Sequence, residues 1–96
     1  MILEKSEQFD FELEEIVNYI ALDSPTNALK FYDDLIEKIY KIVDNPKIYR
    51  AKDDIENVRE LIFKGYTIPF YEDYENDKII VLGIFNRNLW DYNVCI

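Results

Sequence analysis

The residues best suited to bind an anion are concentrated in the second half of the chain. All three arginines lie there, at Arg50, Arg59 and Arg87. Lys47, Arg50 and Lys52 share a stretch of six residues that contains no acidic side chain. Guanidinium and ammonium groups bind phosphate and carboxylate oxygens. This stretch is therefore a candidate contact for a phosphate or an acidic partner, and its alternative is an ordinary solvated loop.

The residue inventory excludes several kinds of catalytic centre. The chain has no histidine and a single cysteine, Cys95. A zinc site, a Cys–His pair or a Ser–His pair therefore cannot be built. Carboxylates could hold Mg²⁺, but the scattered Asp and Glu residues have no magnesium-site spacing. The sequence predicts neither a cofactor nor a metal.

Length and composition predict one cytoplasmic domain. Ninety-six residues, 49% of them hydrophobic, suffice for a single core. An aromatic content of 16% is high for so small an interior, so some rings are expected at a contact surface. There is no apolar run of membrane-spanning length, and charged residues follow Met1 too closely for a signal peptide. A lone cysteine is typical of a reducing compartment.

Overall charge opposes general nucleic-acid binding. The chain carries 20 acidic and 11 basic residues, for a net charge of −9. Contact with the phosphate backbone depends on Lys and Arg. A protein that binds RNA or DNA uniformly is therefore disfavoured.

The second half of the sequence predicts three consecutive antiparallel strands. The first covers about 57–63, and Gly65 can adopt the positive φ of the tight hairpin that follows. The second covers 66–74, and a polar turn leads to the third at 78–85. Because the third strand is almost wholly apolar, we expect it at the centre of the sheet, with Leu82 in the core.

Two residues in these strands need an explanation. Arg59 shares the apolar side of its strand with Leu61 and Phe63. It is either an anion-binding or catalytic residue, or half of a structural ion pair, for example with a helix carboxylate. Pro69 removes a hydrogen-bond donor from the second strand. Its nitrogen must face an unpaired edge or a bulge.

The first half predicts two antiparallel helices. Ser6 can cap a helix over about 7–22, whose polar face includes Glu12, and residues 1–5 can form a short edge strand. Ser24 and Pro25 suit the start of a second helix over about 25–44. The connection between the helices is too short for any arrangement except an antiparallel hairpin. The joint apolar face of the two helices must then be covered, and the predicted sheet can cover it. We read 45–56 as a loop, and leave 88–96 as either a strand or a packed tail.

The predicted fold is therefore α+β, with an N-terminal two-helix hairpin on one face of a small antiparallel sheet. Its element order, β-α-α-β-β-β, resembles that of the RelE/ParE toxin superfamily, whose members include plasmid stabilisation proteins. The resemblance covers about residues 6–88. The matching stretches are EEIVNYIA at 14–21, DSPTNALKF at 23–31, NP at 45–46, REL at 59–61, GYTI at 65–68 and IIVLGI at 79–84.

The resemblance implies the toxin of a type II toxin–antitoxin pair. RelE-like members cut mRNA on the ribosome, whereas ParE-like members bind DNA gyrase; both are neutralised by a cognate antitoxin. The long helices resemble the ParE-like branch, and the acidic composition and missing histidine disfavour mRNA cleavage. We therefore expect growth inhibition through a protein target, with gyrase implied by the family. The alternatives are a ribosome-dependent nuclease and an inactive member. A homodimer or a toxin–antitoxin hetero-oligomer fits either activity.

The resemblance also suggests roles for individual residues. In a nuclease, Arg59 and Arg87 would be catalytic; the favoured alternative for Arg87 is an exposed charge at a strand end. Cleavage through the 2′-hydroxyl also needs proton transfer. The candidates are Lys52, Glu60, Tyr66 and Tyr92, although Lys and Tyr ordinarily titrate near pH 10. The residues expected to bind antitoxin or target are Lys47, Arg50, Lys52, Arg59, Arg87 and Trp90; Trp90 could instead close the core.

Overall fold

A computed structural model describes residues 1–86 of the chain, and it confirms the predicted α+β class. Two helices precede most of a six-stranded sheet. Among the described residues, neither helix combines the length and the apolar character needed to cross a membrane. The elements are β1 (Ile2–Lys5), α1 (Glu7–Asp23), α2 (Pro25–Tyr40), β2 (Arg50–Ala51), β3 (Val58–Phe63), β4 (Tyr66–Asp73), β5 (Lys78–Val81) and β6 (Phe85–Asn86).

Both helices begin at the serines that the sequence indicates. Ser6 Oγ accepts a hydrogen bond from the Phe9 amide at 3.0 Å, and Ser24 Oγ accepts one from the Asn27 amide at 3.2 Å. Such caps typically stabilise a helix by about 1 kcal/mol. The second helix ends earlier than predicted, at Tyr40, and the chain continues as 3-10 turns at Lys41–Asp44 and Pro46–Ile48.

The sheet is mixed, with strand order β1-β5-β4-β3-β2. The edge strand β1 is confirmed, and it pairs in parallel with β5. The β3–β4 hairpin turns through Lys64 and Gly65, whose φ angles of 49° and 86° are those of a type I′ turn. Positive φ at both central residues matches the twist of the strands, which explains the glycine. The predicted loop 45–56 includes the short strand β2.

The prediction of one continuous central strand at 78–85 is wrong. The middle strand is β4, and β5 ends at Val81. Three residues, 82–84, then stand opposite two on β4 before β6 resumes the pairing. Leu82 donates its amide to the Pro69 carbonyl at 2.9 Å. Because a strand residue directs its nitrogen and carbonyl to the same side, the proline nitrogen faces this bulge, which confirms the second of its two explanations.

The core lies between the helical hairpin and one face of the sheet. Leu82 is only half-buried and does not belong to it, because Ile79 and Val81 face the core whereas Ile80 and Leu82 alternate to the other side. Ile79 and Val81 occupy the central position that the sequence assigned to Leu82, and both are fully buried. The buried cluster consists of Phe9, Leu13, Phe31, Leu35, Ile39, Ile42, Leu61, Phe63, Ile68, Phe70, Ile79, Val81 and Ile84.

Glu12 joins α1 to the bulge. It was expected on the polar helix face, but it is half-buried and accepts the Ile84 amide at 3.0 Å. A Cβ placed on Gly83 would lie 2.6 Å from Glu12 Oε1. A side chain at this position would therefore displace the Glu12 carboxylate, which also accepts the Ile84 amide.

We expect Ile79→Ala to lower the free energy of unfolding by about 2–5 kcal/mol, since it leaves a cavity in a fully buried site. Leu82→Ala should cost clearly less, because Leu82 still contacts water. Urea denaturation with an unchanged m-value measures both. Equal losses for the two variants would contradict the position of Leu82 outside the buried core.

Gly83→Ala should destabilise the protein by about 1–3 kcal/mol, because the added methyl group displaces the Glu12 carboxylate. In a Glu12→Ala background the same substitution should cost much less. A double-mutant cycle measured by denaturation isolates this coupling. Additive effects would mean that another contact restricts Gly83.

Candidate functional site

Arg59 lies on the helix-facing side of the sheet, as its alternation with Leu61 and Phe63 predicts. Its partner in register is Phe70 on β4, and Glu72 follows two residues later on the same side. The loop after α2 covers this part of the sheet, where the Tyr49 ring meets Phe70 edge-on at 5.6 Å. Arg59 and Glu72 are therefore diagonal neighbours at the border of the core.

Glu72 is the centre of a closed polar cluster. Glu72 is 1% exposed, and its carboxylate accepts a hydrogen bond from Arg59 Nε at 2.7 Å. The other oxygen accepts the Tyr74 hydroxyl and lies 3.4 Å from Lys47 Nζ, which in turn donates to Tyr74. Arg59 Nη1 donates to the Tyr49 carbonyl at 2.9 Å. We call Lys47, Arg59, Glu72 and Tyr74 the Glu72 cluster.

The cluster keeps Glu72 ionised despite its burial. Burial raises the pKa of this carboxyl, but hydrogen bonds from Tyr74, Arg59 and Lys47 outweigh it and leave the pKa below the ordinary value of 4.5. The hydrogen bond with Tyr74, opposed by partial desolvation and reinforced by Glu72, raises the pKa of Lys47. Arg59 is thus half of a structural ion pair, but its partner is a strand carboxylate rather than the helix carboxylate that the sequence suggested.

An open groove of about 480 Å³ lies beside the cluster. It is lined by residues 51–58 together with Lys47, Arg59 and Glu72. Its charged lining consists of three cations and four carboxylates: Lys47, Lys52, Arg59, Asp53, Asp54, Glu56 and Glu72. The groove is therefore not a positively charged phosphate site.

Two of the other predicted basic residues, Arg50 and Lys52, do not join the Glu72 cluster, although Lys52 lines the groove beside it. Lys52 pairs with Asp54 at 3.8 Å, and Arg50 is exposed on the short edge strand β2. Lys47 alone of this stretch reaches the cluster. Arg87 and Trp90, predicted to bind antitoxin or target, lie outside the described residues. No group of His, Cys, Asp and Glu side chains in residues 1–86 is arranged to hold a metal ion.

The candidates for proton transfer that lie within the described residues are also separated from the Glu72 cluster. Glu60 follows Arg59 directly and so lies on the opposite face of β3. Tyr66 packs edge-on against Phe31 with ring centroids 5.5 Å apart, beside the core. Tyr92 lies outside the described residues. The structure therefore does not bring Glu60 or Tyr66 into the Glu72 cluster.

The sequence prediction missed Glu72 and Tyr74. A signal for Glu72 was present, because it continues the alternation Ile68, Phe70 on the core side of β4. A carboxylate on an apolar side, one strand from an arginine on an apolar side, indicates a buried pair. Tyr74 follows the strand end and gave no comparable signal.

Comparison with known proteins defines the class. Residues 3–88 match the family model of the ParE toxin of the type II toxin–antitoxin system parDE. No curated protein sequence matches. The chain belongs to the ParE toxin family, within the RelE/ParE superfamily, as the resemblance predicted.

Solved structures share the fold at low sequence identity. The chromosomal ParDE toxin–antitoxin system of P. aeruginosa gives a TM-score of 0.75 at 22% identity, covering 90% of this chain and 95% of that one. The isolated E. coli RelE toxin gives 0.64 at 13% identity, covering 97% and 94%. The intact E. coli RelBE complex gives 0.62 at 14% identity, covering 86% and 92%.

Glu72 should make stability depend on pH in the acidic range. Because its folded pKa is lowered, its contribution is present above about pH 4.5 and is lost as the pH falls through the folded pKa. Glu72→Gln should cost about 1–3 kcal/mol at neutral pH, and its deficit should shrink in acid. Chemical denaturation at a series of pH values measures this.

Glu60→Gln is the matched control, because it removes the same charge from the opposite face of the neighbouring strand. It should keep the wild-type pH profile. If both variants flatten the profile equally, general charge repulsion rather than the Glu72 cluster governs acid stability.

Proposed function

We propose that the protein is a growth-inhibiting toxin that acts by binding a protein target and is neutralised by a cognate antitoxin. The observation that carries this is the Glu72 cluster, in which the guanidinium of Arg59 is already bonded to a carboxylate and a carbonyl. A binder of this kind needs an exposed surface but no proton-transfer chemistry. Membership of the ParE family supports the toxin assignment.

The nuclease alternative has less support. RNA cleavage through the 2′-hydroxyl needs a base, an acid and a cation free to neutralise the phosphorane. Within the described residues, Lys47 and Arg59 share the carboxylate of Glu72, and acidic residues outnumber basic ones around the groove. A phosphate would have to compete with a buried carboxylate that is held by three donors.

DNA gyrase is the proposed target, by membership of the ParE family. The antitoxin is proposed because the similar structures are described as a ParDE toxin–antitoxin system and a RelBE toxin–antitoxin complex. Because the chain carries a net charge of −9, we expect the antitoxin segment that covers it to be basic or mainly apolar. A basic segment should bind more weakly as salt screens the charges.

We expect the purified protein to block DNA supercoiling by gyrase and to leave mRNA intact during translation. The test is a gyrase supercoiling assay beside primer extension on a reporter mRNA in a translating extract. Tyr66→Phe is an informative variant, because it removes a hydroxyl and keeps the ring against Phe31. It should leave the inhibition nearly unchanged.

Discrete cuts within codons, lost in a folded Arg59→Ala variant, would overturn the proposal in favour of a nuclease. Folding of that variant must be verified by a melt, since it leaves Glu72 buried without one of its three donors. Neither cuts nor gyrase inhibition would indicate a different target or an inactive member.

A further inference from the structure

The outward face of α1 is acidic, although Lys5 lines one pocket together with Asp10 and Glu14. The helix contains no Lys or Arg, and among residues 1–86 no basic side chain forms an ion pair with its carboxylates. All of these carboxylates except Glu12 belong to exposed residues. The six are Glu7, Asp10, Glu12, Glu14, Glu15 and Asp23.

Large apolar side chains lie among these charges. Phe11 is 61% exposed and Leu22 is 86% exposed. They are separated by eleven residues, close to three helical turns, so they share one face about 16 Å apart. Tyr19, 74% exposed, flanks that face. The core side of the helix is formed by other residues, Phe9 and Leu13 among them. We call the exposed face around Phe11, Glu15 and Leu22 the α1 crest.

We infer that the α1 crest binds a basic amphipathic helix of a partner protein. The inference rests on the proposed function in one respect, that the partner is a protein. Charge eliminates the other occupants: a second copy would place the same carboxylates against each other, and nucleic acid or an anionic membrane would be repelled. A helix with an apolar stripe flanked by Lys or Arg satisfies both features of the crest.

The spacing of the crest defines the partner segment. Covering 16 Å requires about three turns of helix, with apolar residues three or four positions apart. Basic residues beside that stripe would meet Glu14 and Glu15. Charge attraction would speed the encounter, and burial of Phe11 and Leu22 would slow dissociation.

The probe is a synthetic 18-residue peptide with leucines on one helical face and lysines on the other, labelled for fluorescence anisotropy. A peptide with serine in place of each leucine carries the same charge. We expect the Leu/Lys peptide to bind the intact protein in a salt-sensitive way, and the Ser/Lys peptide to bind at least tenfold more weakly.

Matched variants locate the binding surface. Phe11→Ser or Leu22→Ser should weaken Leu/Lys binding roughly tenfold, the order expected for one exposed side chain that becomes buried. The apolar control is Ile48→Ser, 70% exposed but beside Lys47, which should change nothing. Glu14→Gln with Glu15→Gln should weaken binding severalfold at low salt, whereas Asp53→Asn with Asp54→Asn should not.

Equal effects of crest and control variants would overturn the inference, as would Ser/Lys binding as tight as Leu/Lys binding. Leu22→Ser keeps the test valid if Phe11→Ser alters the melt, because Leu22 is almost fully exposed. The gyrase and mRNA assays report on the target and not on this surface. Failure of the inference is therefore distinguishable from failure of the proposed function.

Discussion

The burial of Glu72 is the constraint on which the arrangement around the candidate site depends. An ionised carboxylate at the edge of an apolar core is unstable unless donors replace the water that it loses. Three side chains do so here, from β3, from the end of β4 and from the loop after α2. Arg59 then extends to the Tyr49 carbonyl and fixes that loop against the sheet. Removal of any one of these donors leaves the buried Glu72 carboxylate with fewer groups to stabilise its charge.

The same cluster makes the basic residues near Arg59 less available to an external anion. Arg59 and Lys47 supply positive charge in the sequence, but within the described structure that charge is matched locally. The groove is acidic on balance, and α1 adds further carboxylates on another surface. Electrostatics therefore favour a basic protein surface as the counterpart of this domain, in line with the proposal that it acts on a protein target.

Local patterns predicted most of the fold. Capping serines, apolar residues at helical spacing and a Lys-Gly turn each determine structure through contacts between residues close in sequence. They failed where the outcome depended on distant contacts. The apolar run 79–85 gave no sign that Gly83 lies against Glu12. Pro69 indicated a bulge or an unpaired edge, but not that the third strand breaks after Val81. For the site, Arg59 was identified by its position on an apolar side. Its partner was missed because Glu72 becomes its neighbour only once β3 and β4 pair.

The parallel pairing of β1 with β5 has a consequence for biosynthesis. Ile2 lies opposite Lys78, so β1 cannot pair until β5, 76 residues later, has been synthesised. At about 5–20 residues per second, translation of the intervening segment takes roughly 4–15 s. The helical hairpin needs only local contacts and can form during that interval, whereas the sheet edge closes late. The nascent protein thus exposes its helices well before β1 can complete the sheet.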